Sequence, residues 1–202
     1  MRNITLLLCG LALSPAFAAE DPDDVDIFDG GDIDESITGT VSTDITGAVI
    51  AAAGFVSETP GDPTTWSARV ITYLPKTGQR VWQQTNDTLN QQDVYTSVDV
   101  AGSKLCVAGV VGDDDMDGGS NAVIRCFNAK TGQVLWTHIY ENAINVGNDI
   151  VLFTGFDPDN PTVRITGSRA VLTFVSDGTP SRPVLISFDM KTGTPLTGVP
   201  LP

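Results

Sequence analysis

A single histidine, His138, and three cysteines, Cys9, Cys106 and Cys126, are the residues from which a general base, a nucleophile or a soft metal centre would have to be built. With Cys9 in a leader that is expected to be removed, one imidazole and two cysteines expected to be oxidised do not supply a usual zinc ligand set. His138 has no G-x-S-x-G or comparable nucleophile signature near it, and a general base needs positioned partners. It therefore reads as a strand residue with a structural role, and no catalytic residue can be named. Hard-cation chemistry has a better candidate. Asp113, Asp115, Asp117 and Gly118 reproduce the D-x-D-x-D-G opening of a calcium loop, in which alternating carboxylates converge on one ion and glycine allows the sharp bend. Asn121 falls at the ninth position, where another oxygen ligand is expected. Ile124 occupies the twelfth, so the bidentate glutamate of an EF-hand is missing and a helix-loop-helix is not expected. The competing reading is an ordinary hairpin tip, where Asp and Gly are common.

Cys106 and Cys126 stand at equal distances from Met116. In a symmetric hairpin they face each other, where Cα separations of about 4.5 to 5.5 Å suit a disulfide. The alternative is a pair of small buried thiols. Compartment favours the disulfide. Arg2, the apolar run from Ile4 to Leu13 and the small-residue pattern Ala16-Phe17-Ala18 make residues 1 to 18 a signal peptide, implying a secreted or periplasmic protein. Leu8 precedes Cys9 where a lipoprotein signal places a small residue, so a lipid anchor is not expected. No other segment reaches the ~18 consecutive apolar residues of a membrane helix, and no membrane span is expected.

Loss of the leader removes Arg2, so the formal net charge of −14 becomes −15. Phosphate backbones require a basic footprint, which excludes nucleic acid as a partner. Nine of the 25 acids lie between Glu20 and Glu35. Like charges with few large apolar side chains cannot offset the entropy of ordering, so residues 19 to 36 are expected to be a disordered acidic segment, with a calcium-collecting or partner-docking arm as the lesser alternative.

The rest of the chain repeats. Lys76-Thr77-Gly78, Lys130-Thr131-Gly132 and Lys191-Thr192-Gly193 are separated by 54 and 61 residues. A second landmark, Ile45-Thr46-Gly47, Val100-Ala101-Gly102 and Ile165-Thr166-Gly167, has glycine separations of 55 and 65. Two landmarks with similar spacing define copies at about 37 to 90, 91 to 145 and 146 to 202. The middle copy reads as four strands, about 94 to 100, 104 to 111, 122 to 128 and 134 to 140, rich in β-branched and aromatic residues and bounded by Gly, Asp, Asn or Ser. Thr-Gly closes the hairpin between the third and fourth, because glycine tolerates the positive φ of the reversal. No sustained 3.6-residue period occurs, so little helix is expected.

The run Cys126-Phe127-Asn128-Ala129-Lys130-Thr131-Gly132-Gln133-Val134-Leu135-Trp136 resembles the tryptophan-docking motif A-x-D-x-x-T-G-x-x-x-W of pyrroloquinoline-quinone-type (PQQ-type) β-propellers. Thr131, Gly132 and Trp136 match, while Cys126 and Asn128 depart. The first copy keeps Thr77, Gly78 and Trp82; the third keeps Asp189, Thr192 and Gly193 but has Thr197 where tryptophan belongs. The resemblance implies an all-β fold, a partial β-propeller of about three four-stranded antiparallel blades. It also implies that Trp82 and Trp136 pack between blades, with Gly78, Gly132 and Gly193 as structural parts of the blade motif. The Asp113 to Asn121 loop is similar to the calcium hairpins of integrin-type blades, though the other copies carry no equivalent.

Propellers close with four to eight blades. Three blades imply a piece of a longer chain, a homodimer closing a six-bladed ring, or a fan capped by a partner. PQQ-dependent dehydrogenases stack adjacent cysteines on their quinone, and no Cys-Cys pair occurs here, so PQQ is not expected. Calcium is the only ion for which a place can be named. The leading expectation is a non-catalytic exported module that binds a protein or envelope component. The alternatives are a fragment or remnant of a PQQ-dependent oxidoreductase and a calcium-stabilised surface adhesion or structural protein.

Overall fold

Strands and tight turns account for the chain wherever the computed structural model describes it, which is over residues 35–36, 42–43, 49–57, 66–86, 93–111, 120–144, 161–176 and 182–198. No helix long and apolar enough to cross a membrane occurs among these residues. Three antiparallel sheets follow one another along the chain. The middle one orders β6 (Asp93–Ala101), β7 (Lys104–Val111), β8 (Ser120–Asn128) and β9 (Val134–Ile144) as sequential neighbours. The third does the same with β10 (Thr162–Thr166), β11 (Arg169–Ser176), β12 (Arg182–Asp189) and β13 (Pro195–Gly198).

In the first sheet β3 (Ile50–Ser57), β4 (Trp66–Tyr73) and β5 (Arg80–Asn86) are preceded by two short pieces, β1 (Glu35–Ser36) and β2 (Ser42–Thr43). Both pair with β3, Glu35 opposite Val56 and Ser42 opposite Ala51, so together they hold the edge that β6 holds alone in the second sheet. Glu35 and Ser36, at the end of the acidic segment, are thus strand residues. The result is three four-position meanders, the blades of a partial β-propeller. The expected strands of the middle copy differ from the observed ones mainly in the fourth, which continues to Ile144.

Blade stacking explains the composition of each strand. Leu105 and Val107 of β7 face the first blade and pack in one cluster with Ala51, Ala53, Ala68 and Val70. Cys106, Ala108 and Val110 face the other way and pack against Ala170, Leu172, Phe174 and Phe188 of the third blade. A strand covered on both faces reads as a continuous apolar run, as Leu105 to Val111 does. In β11 buried residues alternate with less buried ones, and the buried ones form the face of the third blade that packs on the second.

Each blade breaks register at the same point. Thr72 pairs with Trp82 but Tyr73 with Arg80; Cys126 pairs with Trp136 but Phe127 with Val134; Ser187 pairs with Thr197 but Phe188 with Pro195. One extra residue on the fourth strand beside the Thr-Gly turn is a β-bulge, which bends the strand and re-aims the next side chain. Thr197 is therefore the structural equivalent of the two tryptophans.

Candidate functional site

The side chains that follow each bulge fasten one blade to the next. The indole N–H of Trp82 donates to the carbonyl of Ala129 at 2.8 Å, and its ring lies on Gly132. Trp136 repeats this one blade later, its N–H donating to the carbonyl of Met190 at 3.2 Å and its ring lying on Gly193. Two positions on, each strand adds a second donor. The amide of Gln84 donates to the carbonyl of Gly132 at 2.6 Å, and Nε2–H of His138 to the carbonyl of Gly193 at 2.6 Å. A carbonyl can only accept, which fixes the tautomer of His138. The ring of His138 also stacks on Phe188, with centroids 5.0 Å apart.

The turns that receive these rings are held by their own side chains. Oδ1 of Asn128 accepts from the backbone N–H of Lys130 and Thr131 at 3.0 and 3.2 Å. Oδ1 of Asp189 accepts from Lys191, Thr192 and the Thr192 hydroxyl at 3.0, 2.8 and 2.9 Å. The Thr192 backbone and hydroxyl bonds hold the Asp189 carboxyl below its ordinary value.

At the inner margin, side chains of β6 serve the outward backbone groups of β10. Ser97 Oγ accepts from Val163 N–H at 3.2 Å, and Asp99 Oδ2 from Ile165 N–H at 2.7 Å. Thr96 donates to the carbonyl of Pro161 at 2.6 Å. These bonds give the first strand of the third blade partners on the edge that β11 does not use.

A polar cluster lies between the first and second blades. The amide of Asn86 donates to Asp93 at 2.8 Å, and Arg125 donates to Asn86 Oδ1 at 2.8 Å and to the Tyr95 hydroxyl at 3.2 Å. Asp93 is fully buried. Burial pushes the Tyr95 phenol up to about 12, with Arg125 pulling the other way. Buried polar groups cost little only when each is bonded, and the four residues satisfy one another. The chemistry of this cluster is cohesion between blades.

Cys106 and Cys126 are directly opposite in the β7–β8 register and form a disulfide with Cα atoms 4.1 Å apart. Sγ of Cys106 touches Sδ of Met190 at 3.8 Å, so the bridge forms part of the junction with the third blade. Asp113, Asp115 and Asp117 lie outside the described residues, as do Gly47 and the leader. Asn121, the fourth candidate calcium ligand, is described: it is half-buried in β8, opposite Val111. Among the described residues no group of three or more His, Cys, Asp or Glu side chains could hold a metal ion. Gly78, Gly132 and Gly193 all have φ near +71°.

Sequence reasoning missed the Asn86–Asp93–Tyr95–Arg125 cluster and the shared role of Gln84 and His138. Arg125 was the available signal, a charge inside the apolar stretch from Ala122 to Phe127. Gln84 and His138 gave none, because donors of different chemistry serve one acceptor position.

No family model matches the sequence, and no curated protein does. Among solved structures, the chain is similar to a europium-containing methanol dehydrogenase at 14% identity and a TM-score of 0.45, over 81% of this chain and 26% of that one. It is similar to a quinohemoprotein alcohol dehydrogenase of Pseudomonas putida HK5 at 11% identity and a TM-score of 0.43, over 83% of this chain and 36% of that one. BamB of Moraxella catarrhalis matches at 13% identity and a TM-score of 0.29, over 81% of this chain and 64% of that one. The chain spans between about a quarter and two thirds of these proteins, and likeness at such values carries no activity across. The blades themselves, the first and second each docked on the next by an indole over a Thr-Gly turn, make the chain a partial β-propeller.

Proposed function

We propose that this chain is an exported, non-catalytic propeller-repeat module that binds a protein or another envelope component through the connections between its strands. The carrying observation is how its reactive side chains are used. His138, the only histidine, donates to Gly193 inside a blade junction, and Cys106 and Cys126 are bonded to each other. Frameworks fixed in this way commonly carry recognition on their loops. The connections between second and third strands are where the blades diverge: residues 112–119 hold four aspartates, whereas 58–65 hold Glu58 and Asp62 and 177–181 hold Asp177. Calcium at Asp113, Asp115, Asp117 and Asn121 belongs to the proposal, as a stabiliser of that loop.

The test uses purified protein immobilised and exposed to the exported protein fraction, with and without calcium. A partner that is displaced by excess free protein, and then binds the purified chain saturably, supports the reading. Saturable binding of PQQ with dye reduction in the presence of calcium overturns it in favour of a piece of a PQQ-dependent oxidoreductase. Export is tested by cell fractionation and by sequencing the mature N-terminus, expected at Ala19.

A further inference from the structure

The tight turns of the three blades gather at one end of the sheets. Lys104 pairs with Asn128 there and Val111 with Asn121 at the other end, so residues 112–119 leave from the end opposite to Thr131-Gly132. The backbone N–H groups of Ala129 and Met190 donate to the carbonyls of Ser103 and Ser168 at 2.9 Å, which holds the two turns of a blade together. The indole of Trp82 on Gly132 sets the turns of the first and second blades side by side. Blades stack through their faces, so a neighbouring blade lengthens this end and does not cover it.

Charge is sorted between the two ends. Lys76, Arg80, Lys104, Lys130, Arg169 and Lys191, six of the 11 lysines and arginines, occupy the turns or the first strand residue after them. Lys104 is half-buried and the others are exposed. Among the described residues the acids at this end are Asp99 and Asp189, and both carboxylates are taken up by backbone N–H groups. The connections at the other end, residues 58–65, 87–92, 112–119, 145–160 and 177–181, hold eleven acids and no lysine or arginine. Those acids do not cancel the cations. The eight residues of β7 put roughly 25 Å between the ends, at about 3.4 Å per residue, against a screening length of about 8 Å at physiological salt.

Large apolar side chains stand among the cations. Leu74 is 39% exposed, Val134 41% and Leu196 46%, each within three residues of a Lys-Thr-Gly tripeptide. Leu74 occupies the place from which Asn128 and Asp189 brace their turns, so the first blade gives up a bracing acceptor and presents an aliphatic side chain to solvent. Cations interleaved with protruding aliphatic tips match an anionic bilayer, whose headgroups take the charge while the layer beneath takes the tips.

We propose that the chain docks peripherally on an anionic lipid surface through the turns around Lys76, Lys104 and Lys130, with Leu74 and Val134 entering the headgroup layer. This surface lies opposite the connections proposed above to recognise a partner, and either reading can fail without the other. Flotation of the purified full chain with vesicles tests it. Phosphatidylglycerol mixed into phosphatidylcholine should carry the chain up the gradient, and phosphatidylcholine alone should not. Salt at 1 M, where the screening length is about 3 Å, should release it. Each basic side chain near such a surface raises partition about fivefold, so Lys76→Gln/Lys104→Gln/Lys130→Gln should lower it about a hundredfold. Arg182→Gln, at the other end, should leave partition unchanged, and Leu74→Asn, which copies Asn128, should keep the fold and weaken binding severalfold. Absence of flotation with the phosphatidylglycerol vesicles at low salt overturns the proposal. So does binding that requires calcium or survives the triple lysine variant, which assigns the contact to the acidic end. Self-association at low salt without vesicles, abolished by the triple variant, also overturns it and assigns this surface to a second copy.

Discussion

The indole of Trp82 covers Gly132 of the next blade so closely that a methyl group there would sit 2.8 Å from the ring. Gly102 makes the useful contrast: its φ is also positive, at +59°, but a methyl group would meet nothing within 4 Å. Gly102→Ala should therefore cost only the left-handed backbone strain, about 1 to 2 kcal/mol. Gly132→Ala should cost that amount plus displacement of the indole, for a total of roughly 3 kcal/mol or more. Urea unfolding of the two variants checks the difference.

His138 and Gln84 perform the same task in successive junctions, so they should be exchangeable. His138→Gln is expected to keep stability within about 1 kcal/mol, while His138→Leu leaves the Gly193 carbonyl without its donor and should cost about 1 to 3 kcal/mol. Equal losses for the two variants would show that ring packing on Phe188, and not the hydrogen bond, dominates.

The disulfide closes a loop with a sequence separation of 20, and its removal should destabilise the chain by about 3 kcal/mol. Chemical denaturation with and without reductant measures this. Because Cys106 also touches Met190, the third blade should loosen with the bridge, seen as faster amide exchange in β12 as well as in β7 and β8.

Two of the described groups contribute pH dependence at opposite ends of the scale. The folded chain holds the Tyr95 proton to about 12, whereas the unfolded chain releases it near 10. Its contribution is complete below pH 10 and is lost as pH rises toward 12, by up to about 1.4 kcal/mol per unit, and Tyr95→Phe should flatten this limb. The Asp189 carboxyl titrates below its ordinary 3.8, so its contribution is present above that value and disappears as pH falls through the folded one. Asp189→Asn, which copies Asn128, should keep the turn and remove that acid sensitivity.

Calcium is expected to raise the melting temperature of the purified chain, and Asp115→Ala to abolish the rise. Calorimetry with and without chelator measures both, and an unchanged melting temperature on adding calcium removes the ion from the functional reading.

The strands and turns were legible because each is encoded within a few residues. Thr131-Gly132 needs only its own backbone to reverse the chain, and the β-branched content of Lys104 to Val111 marks a strand without reference to any partner. The cysteine pairing was legible for a similar reason, since equal spacing about Met116 fixes a hairpin register. The inter-blade contacts were not. Asn86 meets Asp93 and Arg125 only after two sheets have stacked, and no local pattern encodes that angle. The tryptophans lay between these cases: their spacing from Thr-Gly was visible through a family resemblance, while the bulge that aims them was not. Thr197 shows the limit, because the third blade keeps the bulge after losing the indole.

Ser97 and Asp99 grip the third blade along its inner rim, and Trp136 and His138 hold it at the outer rim. A plate fastened along both margins cannot pivot like a page on a spine, because opening a wedge at either rim strains the bonds at the other. Adjacent blades should consequently respond to load as one stiff body. Shape change on meeting a partner would then be confined to the connections that leave the sheets, and the mechanical cost of recognition would be borne there.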